Sequence, residues 1–181
     1  MKPDSRLRIL LAENCGVSAS TLARLLPRYR LQAELTTVPL ERMEKESGDA
    51  CILDAGDFDL AGALAGHGVS AVLLLTEQEG LADLYPACIA AGFLSGERDK
   101  PELWLPQLLA LCCRLREIRH REHDLQRKLD DTRLVNRAKL LLMSRLGMTE
   151  AQAHRYIEKT AMDIGASRRD VAVGIIRTYE E

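Results

Sequence analysis

Two groups of polar side chains stand where chemistry is possible. Toward the N-terminus, Glu13 and Asn14 follow the apolar run Leu7 to Ala12, Asp54 closes the run Ala50 to Asp54, and Thr76 closes the run Ala71 to Thr76. Toward the C-terminus, Arg137, Lys139, Arg145, Arg155, Lys159, Arg168 and Arg169 can line a basic face for an anion. Of these, Arg168 and Arg169 lie near an expected helix N-terminus, where anions are stabilised. His120, His123 and His154 read as surface imidazoles, the commoner fate of histidines without a metal-binding spacing. Five scattered cysteines form no Cys-x-x-Cys pair and read as reduced, mostly buried thiols. With no Ser-His-Asp or Cys-His arrangement and no phosphate loop, no enzyme is expected.

The elements that must position these groups follow from the apolar pattern. Strand-length runs alternate with helix-like stretches: Leu7 to Ala12, Ser18 to Leu26, Leu31 to Val38, Leu40 to Glu46, Ala50 to Asp54, Leu60 to Ala65, Ala71 to Thr76, Leu81 to Ala91 and Phe93 to Ser95. Runs such as Ile9-Leu10-Leu11 and Val72-Leu73-Leu74-Leu75 are apolar on both faces, as strands between two layers of helices must be. The pattern predicts a doubly wound parallel five-stranded sheet, α/β in class. Glu13, Asn14, Asp54 and Thr76 then gather at the C-terminal ends of the strands, where such sheets carry their working residues.

From Pro101 onward no strong helix breaker precedes Gly147 except Pro106, which marks the helix entry. Positions 108, 111, 115, 118, 122, 125, 129 and 132 are Leu, Leu, Leu, Ile, Glu, Leu, Leu and Thr, a heptad seam. Its charged flanks favour a dimerising coiled coil, parallel or antiparallel. Beyond it, Gly147 and Gly165 separate three short amphipathic helices. Thr149 with Gln152 makes a capping box for the second, and Ser167 with Asp170 opens the third. Their expected core is Leu134, Val135, Ala138, Leu141 and Leu142, then Ala153, Tyr156, Ile157, Thr160, Ala161 and Ile164, then Val171, Ala172, Ile175, Ile176 and Tyr179.

Charge divides along the same lines. Residues 1–104 carry 10 Lys/Arg against 16 Asp/Glu, and residues 133–181 carry 9 against 6. The acidic and basic ends therefore have different tasks, and the basic end is compatible with nucleic acid. No apolar run is long enough to cross a membrane, and the start Met1 to Ser5 is a polar lead-in, so a cytoplasmic protein with no membrane partner is expected.

The strand-end set resembles that of a response-regulator receiver domain over roughly residues 6–113. The resemblance implies Mg²⁺ held by Glu13 and Asp54, Asp54 as phosphoacceptor and Thr76 as the switch that senses the phosphoryl group. A cation is needed because a carboxylate nucleophile and a phosphoryl group repel each other. Three positions depart from the pattern: Asn14 replaces an acid, Gly96-Glu97 stands at the Lys-Pro position, and Ala55-Gly56-Asp57-Phe58 lacks Met-Pro. Asp54 is thus either a phosphoacceptor or a retained carboxylate in a pseudo-receiver scaffold, which would need no cofactor.

Ala138-Lys139, Leu142-Met143, the turn from Gly147 to Glu150, Ala153 and Ala161-Met162 together resemble the signature of the ANTAR family of RNA-binding antitermination modules. Most of these letters read as packing residues, with Met162 less clearly so. Lys139, the family's lysine, is the expected contact to RNA, with no carboxylate offered by Asn136 or Met143. The resemblance implies a receiver-like domain over 1–104, a dimerising helix over 105–133 and an ANTAR module over 134–181. It further implies an antitermination regulator whose partners are hairpins of a nascent mRNA leader, a second copy of the chain, and a sensor protein, either a ligand-binding repressor or a histidine kinase. The rival reading is a protein-interaction adaptor that binds no RNA.

Overall fold

A computed structural model describes residues 6–66 and 68–180, so the expected polar lead-in lies outside the described residues. The alternating runs form five parallel strands: β1 (Leu7–Ala12), β2 (Ala33–Val38), β3 (Gly48–Asp54), β4 (Val69–Thr76) and β5 (Leu94–Glu97). Their order is β2-β1-β3-β4-β5, with α1 (Ala19–Leu25), α2 (Leu40–Met43), α3 (Phe58–Gly66) and α4 (Leu81–Ala91) between them. This is the expected doubly wound sheet, and its strand order reverses between β1 and β3.

The central strands are covered on both faces. Ile9, Leu10, Leu11, Ile52, Leu53, Leu73, Leu74 and Leu75 are fully buried, which is why these runs carry no alternation. β5 begins one residue later than the apolar run suggests. The Phe93 amide is held by the Cys88 carbonyl at 2.8 Å, closing α4 over the left-handed Gly92 (φ +74°), so the strand starts at Leu94.

α5 (Pro101–Leu146) begins at Pro101 rather than at Pro106, which sits inside the helix. Its first turns complete the sheet's core: Trp104, Leu105, Leu108, Leu109 and Cys112 are buried there. Trp104 donates Nε1–H to the Glu97 carbonyl at 2.8 Å and packs on Gly96, where a Cβ would come within 2.5 Å of the indole. This corrects the expected seam. Leu108, Leu111 and Leu115 pack against the helix's own domain, because that face must cover the sheet. Farther along, Ile118, Leu125 and Leu129 remain exposed.

An ion pair fixes α5 to the opposite end of the strands. Arg116 meets buried Asp49 through Nε and Nη2 at 2.7 and 2.6 Å, and also donates to the Arg6 carbonyl at 2.7 Å. The Asp49 carboxylate takes a further bond from the Arg8 amide at 2.8 Å.

The chain divides into two compact units, one ending at Ile118 and the other beginning at Arg119. In the second, the end of α5 packs with α6 (Glu150–Ile164) and α7 (Arg168–Glu180). Gly147 follows α5 in the left-handed region (φ +65°), a conformation that costs a side-chain-bearing residue about 1 kcal/mol or more. Thr149 then caps α6 reciprocally: its hydroxyl accepts from the Gln152 amide at 3.3 Å and the Gln152 side chain accepts from the Thr149 amide at 2.8 Å. Ser167 and Asp170 exchange the same kind of bonds at the start of α7.

The core of this unit is Ala138, Leu142, Ala153, Ile157, Ala161, Val171, Ala172 and Ile175. Leu134, Val135, Leu141, Met143, Ile176 and Tyr179 are partly buried against it. Two residues expected in the core are not there: Tyr156 and Ile164 are exposed, as is Met162. Small alanines bring the helices together along so narrow a stripe that Tyr156 falls outside it. Ile164 lies in the last turn of α6, beyond the packed stretch.

Candidate nucleic-acid interface and receiver-like cleft

At the C-terminal end of the sheet, Asp54 closes β3 and its side chain caps the following turn, accepting from the Gly56 amide at 2.8 Å. Its other carboxylate oxygen is bound by Arg98 Nη2, while Arg98 Nη1 reaches Glu77 at 2.9 Å. Arg98 lies over Gly16, whose left-handed turn (φ +75°) favours glycine, and a Cβ there would displace the Arg98 side chain. The Arg98 amide is tied to the Thr76 carbonyl at 3.0 Å, which holds the guanidinium's root beside the end of β4. Thr76 itself is half-buried one position beyond Leu75, the register partner of Asp54.

Arg98 thus places a fixed cation against Asp54, from two residues beyond the Gly96 that stands at the lysine position. The sequence carried a signal for it, a basic residue two places late with a side chain long enough to reach back. A guanidinium stays charged at all accessible pH and binds carboxylate oxygens directionally.

The same cleft does not fit Mg²⁺. Asp54 has one oxygen on a backbone amide and the other on Arg98. Asn14 turns its amide N–H onto Asp57 at 2.8 Å, offering a donor where a cation needs an oxygen, and Glu13 points into solvent. No cluster of three or more potential ligands occurs among the described residues.

In the C-terminal unit the expected basic face is largely neutralised from within. Lys139, expected without a carboxylate, donates to Glu150 at 2.9 Å and has a side chain only 17% exposed. The partner comes from the start of the next helix, which spacing along α5 cannot reveal. Arg137 forks onto Glu180 at 2.7 and 2.5 Å, Arg169 meets Asp131 at 2.5 Å, and Arg168 meets Glu158 at 3.5 Å. Arg145, Arg155 and Lys159 are exposed and have no such partner among the described residues. The Lys139 ammonium holds the Glu150 carboxyl below its usual range, and the Ser167 hydroxyl and amide do the same for Asp170.

The remaining titratable groups point to structure rather than chemistry. Burial pushes the Cys51 thiol up to about 12 and raises those of Cys15 and Cys88, so none of these is a ready nucleophile. His154 lies 3.4 Å from Glu158 on the surface of α6.

Residues 123–176 match the ANTAR domain. The whole chain is similar to the transcriptional regulatory protein PdtaR of Mycobacterium tuberculosis, in strains CDC 1551 / Oshkosh and ATCC 25618 / H37Rv alike. The identity is 28% over 185 residues, covering 94% of this chain and 90% of the relative. The chain thus carries an ANTAR domain behind a receiver-like domain, and the two findings together support a transcription regulator of the ANTAR type.

Proposed function

We propose that this protein is a cytoplasmic transcription antitermination regulator that binds stem-loops of a nascent leader RNA through residues 134–181. The observation that carries this reading is the ANTAR match over 123–176, in which Ala138, Leu142, Ala153 and Ala161 of the signature build the three-helix core. These residues specify a shape, and RNA is held by the cations displayed on it. Recognition of this kind combines phosphate contacts with readout of unpaired loop bases, because the major groove of A-form RNA is closed to side chains. No helix among the described residues is long and apolar enough to cross a membrane.

Control comes through the N-terminal domain by docking on a sensor protein. What favours this over phosphorylation is the poverty of metal ligands in the cleft: Asn14 stands where an acid would and bonds to Asp57, and Glu13 is exposed. Intact-mass measurement after incubation with acetyl phosphate and Mg²⁺ is expected to show no phosphoryl adduct, whereas an adduct lost in Asp54→Asn would restore the phosphorylation reading.

A protein-interaction adaptor is the second reading, favoured by the internal pairing of Lys139, Arg137, Arg168 and Arg169. The two readings separate on the leader transcript of the protein's own operon. Antiterminator binding falls steeply as salt rises, with a log–log slope of about −0.7 to −0.9 per phosphate contact, and weakens in Lys139→Ala. Absence of binding to that transcript would favour the adaptor, which holds no RNA.

A further inference from the structure

α6 buries one narrow stripe, Ala153, Ile157 and Ala161, and its remaining surface divides into two flanks. At about 100° per residue, Glu150, His154 and Glu158 fall on one flank. There Glu150 is engaged by Lys139 and Glu158 by Arg168. Gln152, Arg155, Tyr156 and Lys159 fall toward the other, with Asp163 one turn beyond Lys159.

This second flank has a distinctive chemistry. Tyr156 is 45% exposed, outside the core it was expected to join. Arg155 and Lys159 stand beside it with no carboxylate partner among the described residues, and no ion pair joins Asp163 to Lys159. Apart from Met162, exposed about one turn beyond Lys159 and not contiguous with the ring, the other side chains of this flank are polar, so Tyr156 stands as an aromatic face among free cations. A protein partner needs a contiguous apolar patch, which this flank lacks. An unpaired nucleotide needs a π-face for its base and cations for the phosphates on either side, which this flank has.

The geometry points to Tyr156 as the platform on which one unpaired base of the RNA stacks, with Arg155 and Lys159 holding the adjacent phosphates. The assignment rests on the RNA-binding reading above and deepens it. It separates two roles within the module: Tyr156 distinguishes looped from paired RNA, and the cations contribute affinity without preference. Lys139, already paired with Glu150 of the first flank, is not part of this contact.

The test uses the full chain. Hairpins with a fixed stem and randomised loop are selected by the wild-type protein, one loop base at a time is replaced by 2-aminopurine, and the stem duplex serves as control. Binding is expected to quench one loop position, and Tyr156→Phe, which keeps the ring, is expected to preserve both quenching and affinity. Tyr156→Ala and Tyr156→Leu are expected to lose the quenching and weaken hairpin binding about tenfold, leaving duplex binding unchanged. The leucine variant keeps apolar bulk, so its loss isolates stacking from folding, and helix content by circular dichroism checks both variants. Arg155→Gln and Lys159→Gln should each make the salt slope shallower by roughly one phosphate's share.

Wild-type quenching and affinity in Tyr156→Leu would overturn the platform while leaving RNA binding intact. A pool yielding no bound hairpin would overturn the RNA-binding reading and this one with it. Normal RNA binding with lost self-association would overturn it too, assigning the ring to a second copy of the chain.

Discussion

Lys139 illustrates how a residue chosen for an anion can already hold one. Its ammonium is bound to Glu150, and that carboxyl is lowered first by the hydrogen bond and then by the charge of Lys139. Asp170 is lowered by the Ser167 side chain and amide. A carboxylate held below its ordinary value contributes stability that is complete above that value and is lost as pH falls through the folded one. The ordinary values are 4.5 for Glu150 and 3.8 for Asp170, so the C-terminal unit should be insensitive to these groups near neutrality and weaken as pH falls below about 4. Thermal melts followed by circular dichroism across that range would show it. Glu150→Gln should flatten the acid limb, and an unchanged limb in that variant would remove Glu150 from the account.

α5 illustrates how one element serves two environments. Its first turns are apolar because they roof the sheet, and the Arg116–Asp49 pair anchors that part where the apolar face ends. The Asp49 side chain is 9% exposed and that of Arg116 is 21% exposed, so the pair is largely removed from solvent. Removing one member of a buried, hydrogen-bonded pair costs about 3–5 kcal/mol, because the charge left behind is poorly solvated. Asp49→Ala is expected to lose about 3 kcal/mol in urea unfolding of the full chain, with little change in slope. A loss under about 0.5 kcal/mol, the usual size for exposed pairs, would show that solvent reaches the site. Past Ile118 the same helix carries charged residues around Leu125 and Leu129, and no described segment covers these two.

For the molecule as a whole, that uncovered stretch is the reason to expect a homodimer. Ile118, Leu125 and Leu129 continue the heptad spacing and are more than half exposed, a poor arrangement for a helix that stays alone in water. Sedimentation velocity should find a dimer, and Leu125→Glu with Leu129→Glu should give monomers of unchanged helix content. Two ANTAR modules in one particle would bind two hairpins with an avidity beyond that of one, without new contacts. The double variant should therefore lose affinity for paired hairpins more than for single ones. Wild-type monomers at micromolar concentration would refute the dimer.

Much of the architecture was legible because it is local. Apolar runs of strand length, without alternation and bounded by turn residues, point to strands covered on both faces, and Gly147, Thr149-Gln152 and Ser167-Asp170 set helix ends by bonds spanning a few residues. The ANTAR signature was legible for the same reason, since its alanines and leucines repeat at helical spacing. Tertiary structure decided what depends on distant partners. Arg98 and Asp54 lie 44 residues apart and Lys139 and Glu150 lie 11 apart across a turn, so no periodicity announces either pair. It also decided which leucines of the heptad face the chain's own sheet and which remain free. Finally, it placed Tyr156 outside the core: the small Ala153 and Ala161 on either side of Ile157 let the helices close over a stripe too narrow to include the ring.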